Sequence, residues 1–184
     1  MRPLVRRRPP EVAARRRARI SPAHPSVGAG LPPAAAPALA EPVAYLSGTW
    51  SLERRLEDAG LGVEGRFVGI ARLEPAGDGR SRYREEGLLE WQGYRGQASR
   101  TLTVAPAGPA TATFSFPDGR FFHLLQLRPD GYEVVHECGS DRYAGTFVLV
   151  GPDAWTATWR VAGPRKELLL VGEYTRLPAR PAGG

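Results

Sequence analysis

From Val43 onward, short runs of alternating apolar and polar residues are separated by Gly, Pro and Asp. Successive side chains of a β-strand point to opposite faces, so a period of two predicts strands that are buried on one side. Residues 51–58 also fit one or two helical turns, but no long helix is indicated elsewhere. The pattern predicts ten strands, at residues 48–57, 65–74, 81–91, 96–105, 110–116, 120–128, 132–138, 142–150, 154–162 and 167–177.

Turn signals such as Pro117-Asp118-Gly119 separate the predicted strands, and this arrangement is typical of either a β-sandwich or a β-barrel. Gly48 and Trp50 open the first strand, and Arg176 lies on the last one. A glycine lets a neighbouring backbone approach, and a guanidinium can lie over an indole face. This pairing and the hairpin connections favour an all-β fold, an up-and-down antiparallel barrel of about ten strands. Gly48, Trp50 and Arg176 are then structural residues that close the barrel.

The positive charge of the chain is concentrated at its N-terminus. Residues 1–42 hold eight arginines against two glutamates, whereas residues 43–184 hold 17 basic and 17 acidic side chains. Without net charge, the predicted barrel lacks the long-range attraction for phosphate on which nucleic-acid binding depends. We therefore expect no nucleic-acid partner for this domain.

The N-terminal segment has the composition of a disordered chain. Residues 1–42 are rich in Arg, Ala and Pro and contain no aromatic residue. They suit a solvated or mis-started extension, a processed export signal, or a basic arm for nucleic acid or anionic lipid. The predicted organisation is a disordered extension at 1–42, the barrel at 43–178 and a disordered end at 179–184.

The cellular environment is indicated by the apolar runs and the cysteine content of the sequence. No apolar run is long enough to span a membrane. Cys138 is the only cysteine, so an intrachain disulfide is impossible, as expected for a protein of the reducing cytoplasm. We predict a cytoplasmic monomer or homodimer without a membrane span.

The predicted barrel interior is unusually polar. Buried charges are costly unless they are paired or neutralised by a ligand, and two interior arginines face one glutamate. This excess of positive charge favours a pocket for a small amphipathic, anionic ligand, and internal ion pairs in a filled core are the structural alternative. The candidate ligand-binding residues are Arg54, Tyr83, Glu85, Trp91, Arg100, Phe122, His136, Tyr143, Trp155, Trp159 and Tyr174.

A second hypothesis is a small enzyme of the lyase or isomerase type. In it, His136 acts as the acid/base, and Asp141, Glu85 or Tyr83 assists. A third is a structural or interaction module whose barrel has a filled core. The sequence identifies no confident catalytic residue, because it contains no nucleophile elbow, phosphate-binding loop or dinucleotide motif.

A metal site is the remaining candidate, and strand register disfavours it. The turn at residues 128–132 predicts a hairpin that would pair His123 with Glu137. His123 then lies on the outer surface and His136 on the inner one. His136 and Cys138 alone provide two ligands where a structural zinc needs four. We expect neither a metal nor a cofactor.

Taken together, these motifs resemble an uncharacterised bacterial domain-of-unknown-function family over roughly residues 46–177. They are Leu46-x-Gly48-x-Trp50, Arg54, Gly65-x-Phe67-x-Gly69, Tyr83-x-Glu85-x-Gly87, Asp118-Gly119-Arg120-x-Phe122-His123, His136-x-Cys138-x-x-Asp141-x-Tyr143, Trp159-x-Val161-x-Gly163-Pro164-x-Lys166 and Tyr174-x-Arg176.

More distantly, the chain is similar to calycins, namely lipocalins, fatty-acid-binding proteins and haem-binding nitrobindins. The likeness to lipocalins rests on Gly48, Trp50 and Arg176. Fatty-acid-binding proteins hold a carboxylate with interior Arg and Tyr, which implies such a role for residues including Arg54 and Arg100. Nitrobindins bind haem through a late histidine, and this chain has none after residue 136, so the resemblance implies no haem.

Overall fold

The computed structural model describes residues 38–178, which form ten antiparallel strands and one short helix. The elements are α1 (Pro42–Leu46), β1 (Gly48–Asp58), β2 (Val63–Gly77), β3 (Arg80–Trp91), β4 (Tyr94–Pro106), β5 (Ala112–Ser115), β6 (Phe121–Leu125), β7 (Tyr132–Cys138), β8 (Asp141–Gly151), β9 (Ala154–Gly163) and β10 (Lys166–Arg176).

The strands form a nearly closed up-and-down barrel, as the alternating pattern predicts. Every strand pairs with its neighbours in the chain except β6 and β7, which are the two edges of the sheet. β1 pairs with β10, so the first and last strands join the meander into a barrel. The predicted fold class is therefore confirmed, and the wall has one seam, between β6 and β7.

Two of the hairpins have the tight turns that match strand twist. Asp78-Gly79 joins β2 to β3 and Gln92-Gly93 joins β3 to β4, and all four residues have positive φ angles. Two consecutive left-handed residues form a type I′ turn, which Gly and Asp adopt readily. The turns β1–β2, β3–β4, β7–β8 and β9–β10 lie at one end of the barrel, which we call the open end.

The opposite, closed end is covered by α1 and by the contacts of Trp50. Trp50 Nε1 donates to the Leu46 carbonyl at 2.8 Å. The Arg176 guanidinium lies 4.1 Å from the centre of the Trp50 ring and donates to the carbonyls of Tyr45 and Ser47. The sequence pattern does not predict α1, which starts at Pro42 in the first helical turn, where a missing N–H costs no hydrogen bond.

Residues 39 and 40, which precede the expected domain boundary at residue 43, form backbone hydrogen bonds with the barrel. Leu39 N donates to Leu127 O at 2.8 Å, and Ala110 N donates to Ala40 O at 3.1 Å. These backbone bonds attach Leu39 and Ala40 to the closed end of the barrel. The disorder predicted for the rest of the extension and for residues 179–184 lies outside the described residues.

The predicted β6–β7 hairpin is wrong, and with it the outward placement of His123. β6 pairs only with β5, where the register shifts between Phe114 and Ser115 and places His123 opposite Phe114 on the inner face. A bulge of one residue exchanges the faces of all later side chains, and register cannot be counted across an unpaired seam. His123 is 4% exposed, and Glu137 accepts instead from Arg142.

Within residues 38–178, no helix has the length and apolar character needed to span a bilayer.

Candidate functional site

A buried carboxylate on β3 organises the centre of the barrel. Glu85 is 3% exposed and accepts two parallel hydrogen bonds from Arg54 of β1, from Nη1 to Oε2 at 2.9 Å and from Nη2 to Oε1 at 2.8 Å. Arg100 of β4 lies opposite Glu85 in the strand register, and its Nη2 donates to Oε1 at 2.6 Å. Period-two alternation places all three side chains on the inner face, where they form one charged layer.

Two tyrosine hydroxyls complete this layer. Tyr83 and Tyr174 donate to Glu85 Oε1 at 2.7 and 3.1 Å, and Tyr174 accepts from Arg54 Nη2 at 2.9 Å. Burial and then the nearby carboxylate raise the pKa of both phenols, so each keeps the proton that it donates. The two phenols therefore add hydrogen bonds to the layer without adding charge.

The charged layer carries a net positive charge. Burial alone would raise the pKa of Glu85, but the guanidinium groups of Arg100 and Arg54 outweigh burial and hold that pKa well below its usual range. Glu85 therefore stays ionised, and one carboxylate faces two guanidinium groups. One positive charge remains to be balanced.

Arg100 differs from Arg54 in its access to water. The Arg54 side chain is 14% exposed, whereas that of Arg100 is 40% exposed although both point into the barrel. Between Arg100 and the open end, where β4 begins, the inner face carries half-buried apolar side chains. These are Leu56, Leu89, Trp91, Ala98, Tyr143 and Leu170. Water thus reaches Arg100 in the charged layer.

Below the charged layer, the aromatic residues proposed as a ligand wall pack against one another. Trp155 stacks on Tyr174 with ring centres 3.7 Å apart, and Phe122 stacks on Trp159 at 5.3 Å. The cavity that they line has a volume of about 20 Å³. This space is far below the several hundred Å³ of ordinary ligand pockets. The structure therefore brings Trp155, Trp159 and Phe122 into the core.

The larger cavity, of about 710 Å³, lies against the outer face of β1–β4 and β10. Its lining is mostly outward-pointing Glu and Arg side chains, among them the pairs Arg66–Glu53 and Arg95–Glu90. Such exposed ion pairs are solvated and contribute little energy. Two of the residues predicted to bind a ligand, Arg54 and Trp91, also line this groove.

The acid/base set of the enzyme hypothesis is not assembled. The His136 ring is half-buried among Phe122 at 5.0 Å, Phe116 at 6.1 Å and Tyr143 at 6.1 Å. Asp141 accepts from Lys166 Nζ at 2.5 Å. Among residues 38–178, no group of three or more His, Cys, Asp or Glu side chains is placed to hold a metal ion.

His123 is a buried polar residue that sequence reasoning missed. Its ring is stacked between Phe114 and Phe147, with centres 4.8 and 5.1 Å away, and Nδ1 donates to the Leu124 carbonyl at 2.8 Å. Burial lowers the pKa of His123 to about 4, so the ring is neutral near pH 7. The bulge that turns this residue inward has no local signal in the sequence.

The barrel resembles two natural proteins of solved structure. The S-type phycobiliprotein lyase of Guillardia theta shares 6% identity, with 75% of this chain and 92% of that chain covered and a TM-score of 0.52. A DUF3598-family protein of unknown function from Nostoc punctiforme shares 16% identity, with 81% and 53% covered and a TM-score of 0.54. At such identities the likeness shows the fold alone.

The search of curated proteins found no match. The model of a family of unknown function (DUF6314) matches residues 46–176, which include every strand and the whole charged layer. The chain therefore belongs to this family of unknown function, DUF6314.

Proposed function

We propose that the barrel binds a small amphipathic anion at its open end, with Arg100 as the anchor of the head group. The observation that carries this proposal is the unbalanced charge of the layer formed by Arg54, Glu85 and Arg100, together with the 40% exposure of the Arg100 side chain. An anionic head group would neutralise the remaining charge where Coulomb interactions are stronger than in bulk water. We also propose a cytoplasmic location, since a single cysteine, Cys138, suits a reducing compartment.

The two arginines would have different roles. Arg54 is committed to Glu85 through a bidentate pair and also donates to Tyr174. Arg100 donates to Glu85 through Nη2, and its side chain is the more exposed of the two. Arg54 therefore fixes the carboxylate, and Arg100 is available to a ligand that enters from the open end.

The apolar part of the ligand would lie above Arg100. Leu56, Leu89, Trp91 and Leu170 present half-buried apolar surface on the inner face of the open end. An apolar chain placed there would remove this surface from water. Each CH₂ group that becomes buried would favour binding by about 0.8 kcal/mol. The tightly packed aromatic residues under the charged layer set the depth that the ligand reaches.

The proposal is tested with three twelve-carbon probes that differ only in the head group, namely dodecanoate, dodecanol and dodecyltrimethylammonium. Binding is measured by isothermal titration calorimetry below the micelle concentration of the two charged probes and below the solubility limit of dodecanol. We expect dodecanoate to bind most tightly and Arg100→Met to weaken it by roughly 10- to 100-fold, the value of one charge-assisted hydrogen bond. Arg160→Met is the matched control, because Arg160 is exposed on the outer face of β9.

Equal affinity for the three probes, or an unchanged affinity in Arg100→Met, would contradict the proposal. If no probe binds, the filled-core interaction module becomes the better explanation. The interior volume of about 20 Å³ under the charged layer favours that second candidate.

A further inference from the structure

A small cavity lies inside the barrel below the charged layer. Its volume is about 20 Å³, and its walls come from β3, β4, β5, β6, β8, β9 and β10. A cavity needs roughly 10–15 Å³ of such space to hold one water, and the water needs two to four polar partners. This cavity therefore has room for one small occupant, and the polarity of its walls decides which one.

Two buried N–H groups belong to residues that line this cavity. Within residues 38–178, Trp155 Nε1 and Arg100 Nε are the buried side-chain nitrogen or oxygen atoms without a hydrogen-bond partner. Buried donors are satisfied in nearly all proteins, because an unpaired one loses its hydration without compensation. That both line the same cavity indicates a shared acceptor inside it.

The cavity wall also supplies an acceptor. His123 lines the cavity, and its Nδ1 donates to the Leu124 carbonyl. Because the buried ring is neutral, the other nitrogen, Nε2, carries a lone pair and accepts hydrogen bonds. The hydroxyl protons of Tyr83 and Tyr174, which also line the cavity, are directed to Glu85. The wall thus offers two donors and one acceptor to an occupant.

We propose that this cavity is a binding site for a single water, which accepts from Trp155 Nε1 and Arg100 Nε and donates to His123 Nε2. A halide ion would satisfy the two donors but has no proton for the histidine. The water would hold the Nε atom of Arg100 inside the barrel. The two Nη atoms of the same guanidinium would then face the open end. This site does not depend on the ligand that we propose above the charged layer.

The water is tested by nuclear magnetic resonance on the ¹⁵N-labelled protein. Trp155→Phe assigns the indole N–H signal of Trp155. We expect this proton to show cross peaks to water of opposite sign in NOE and ROE spectra, which distinguishes a bound water from rapidly exchanging surface water and from hydrogen exchange. Trp50 is a matched control, because its indole is 1% exposed and already donates to Leu46 O. Absence of the water peak at Trp155 would overturn the proposal.

Two further measurements distinguish the occupant and its acceptor. In a crystal soaked in bromide, we expect one spherical density within hydrogen-bond distance of Trp155 Nε1 and no anomalous signal there. An anomalous peak would overturn the proposal in favour of a halide site. In His123→Phe, which keeps an aromatic ring between Phe114 and Phe147, the water signal at Trp155 should be lost, and its persistence would overturn the role of His123.

Discussion

The closed end and the charged layer each contain an arginine, and the two arginines have different roles. Arg176 lies over the rings of Trp50 and Tyr45 and donates to the carbonyls of Tyr45 and Ser47 and to Asp153. Arg100 donates to Glu85, leaves Nε without a protein partner and is 40% exposed. A guanidinium has five donors, so the number already engaged separates an arginine that closes a barrel from one that is available to a ligand.

The same comparison applies within the charged layer. Arg54 has the bidentate geometry that makes carboxylate pairs strong, and Glu85 is so buried that its charge needs both arginines. The layer is therefore an ion-pair network whose stability depends on Glu85 and whose spare charge is carried by Arg100. Changing Glu85 should affect both properties.

The largest expected effect comes from Glu85→Gln. It leaves Arg54 and Arg100 as two cations that share a neutral amide inside the barrel, and breaking a buried pair costs about 3–5 kcal/mol. Because Arg100 is partly solvated, we expect a value near the lower limit, measured as the free energy of unfolding in urea. Dodecanoate should bind this variant at least as tightly as the wild type if the protein remains folded.

The control for this variant is the neighbouring Glu86→Gln. Glu86 pairs with Arg72 at the surface, where both side chains are 36% exposed. Exposed pairs of this kind are worth less than about 1 kcal/mol. If the two variants lose the same stability, the charged layer has no special role in the interior.

Much of the charged layer follows from alternation alone. Arg54, Glu85 and Arg100 stand at inward positions of three strands, and the register confirms that Glu85 and Arg100 are opposite each other. Turn pairs such as Asp78-Gly79 mark the hairpins locally. These features are predictable because successive side chains of a strand point to opposite faces. Where one face is buried, the alternation of apolar and polar residues shows which face it is. Their role in binding remains a prediction.

The seam is the region where sequence reasoning fails. Placing His123 requires knowledge of the shift at Phe114 and of the missing β6–β7 pairing. The connection after β6 instead bonds to β8, since Leu149 N donates to Arg128 O at 2.9 Å. A bulge and an open edge are decided by packing across the barrel, so no neighbouring residue in the chain indicates them.

As the pH is lowered from 7, the buried His123 should decrease the free energy of unfolding at a higher pH than the charged layer does. Its pKa falls from 6.5 to about 4 on folding, so the unfolded chain takes up the proton first as the pH decreases. The contribution of neutral His123 to the free energy of unfolding is fully present above pH 6.5. It is lost as the pH falls from 6.5 to about 4, by about 3 kcal/mol in total. The contribution of Glu85 is lost only below its unfolded pKa of 4.5.

Urea unfolding at pH 7.0, 5.5 and 4.5 measures this slope. His123→Phe retains the stacking and removes the titrating group, so its stability should change much less over this range. An exposed histidine would give no such slope, because its pKa would be the same in both states. Equal slopes in the wild type and the variant would therefore exclude His123 as the source.

A smaller effect than those of Glu85 and His123, and one that separates the two ends of the barrel, is expected for Arg176→Met. This change removes a cation from the Trp50 ring and hydrogen bonds to two carbonyls, while the methionine keeps part of the apolar contact. We expect a loss of about 2 kcal/mol in the free energy of unfolding. Dodecanoate affinity should stay within about twofold of wild type, because Arg176 closes the opposite end. Arg160→Met should change stability by less than about 0.5 kcal/mol. A tenfold loss of dodecanoate affinity in Arg176→Met would show that the closed end takes part in binding.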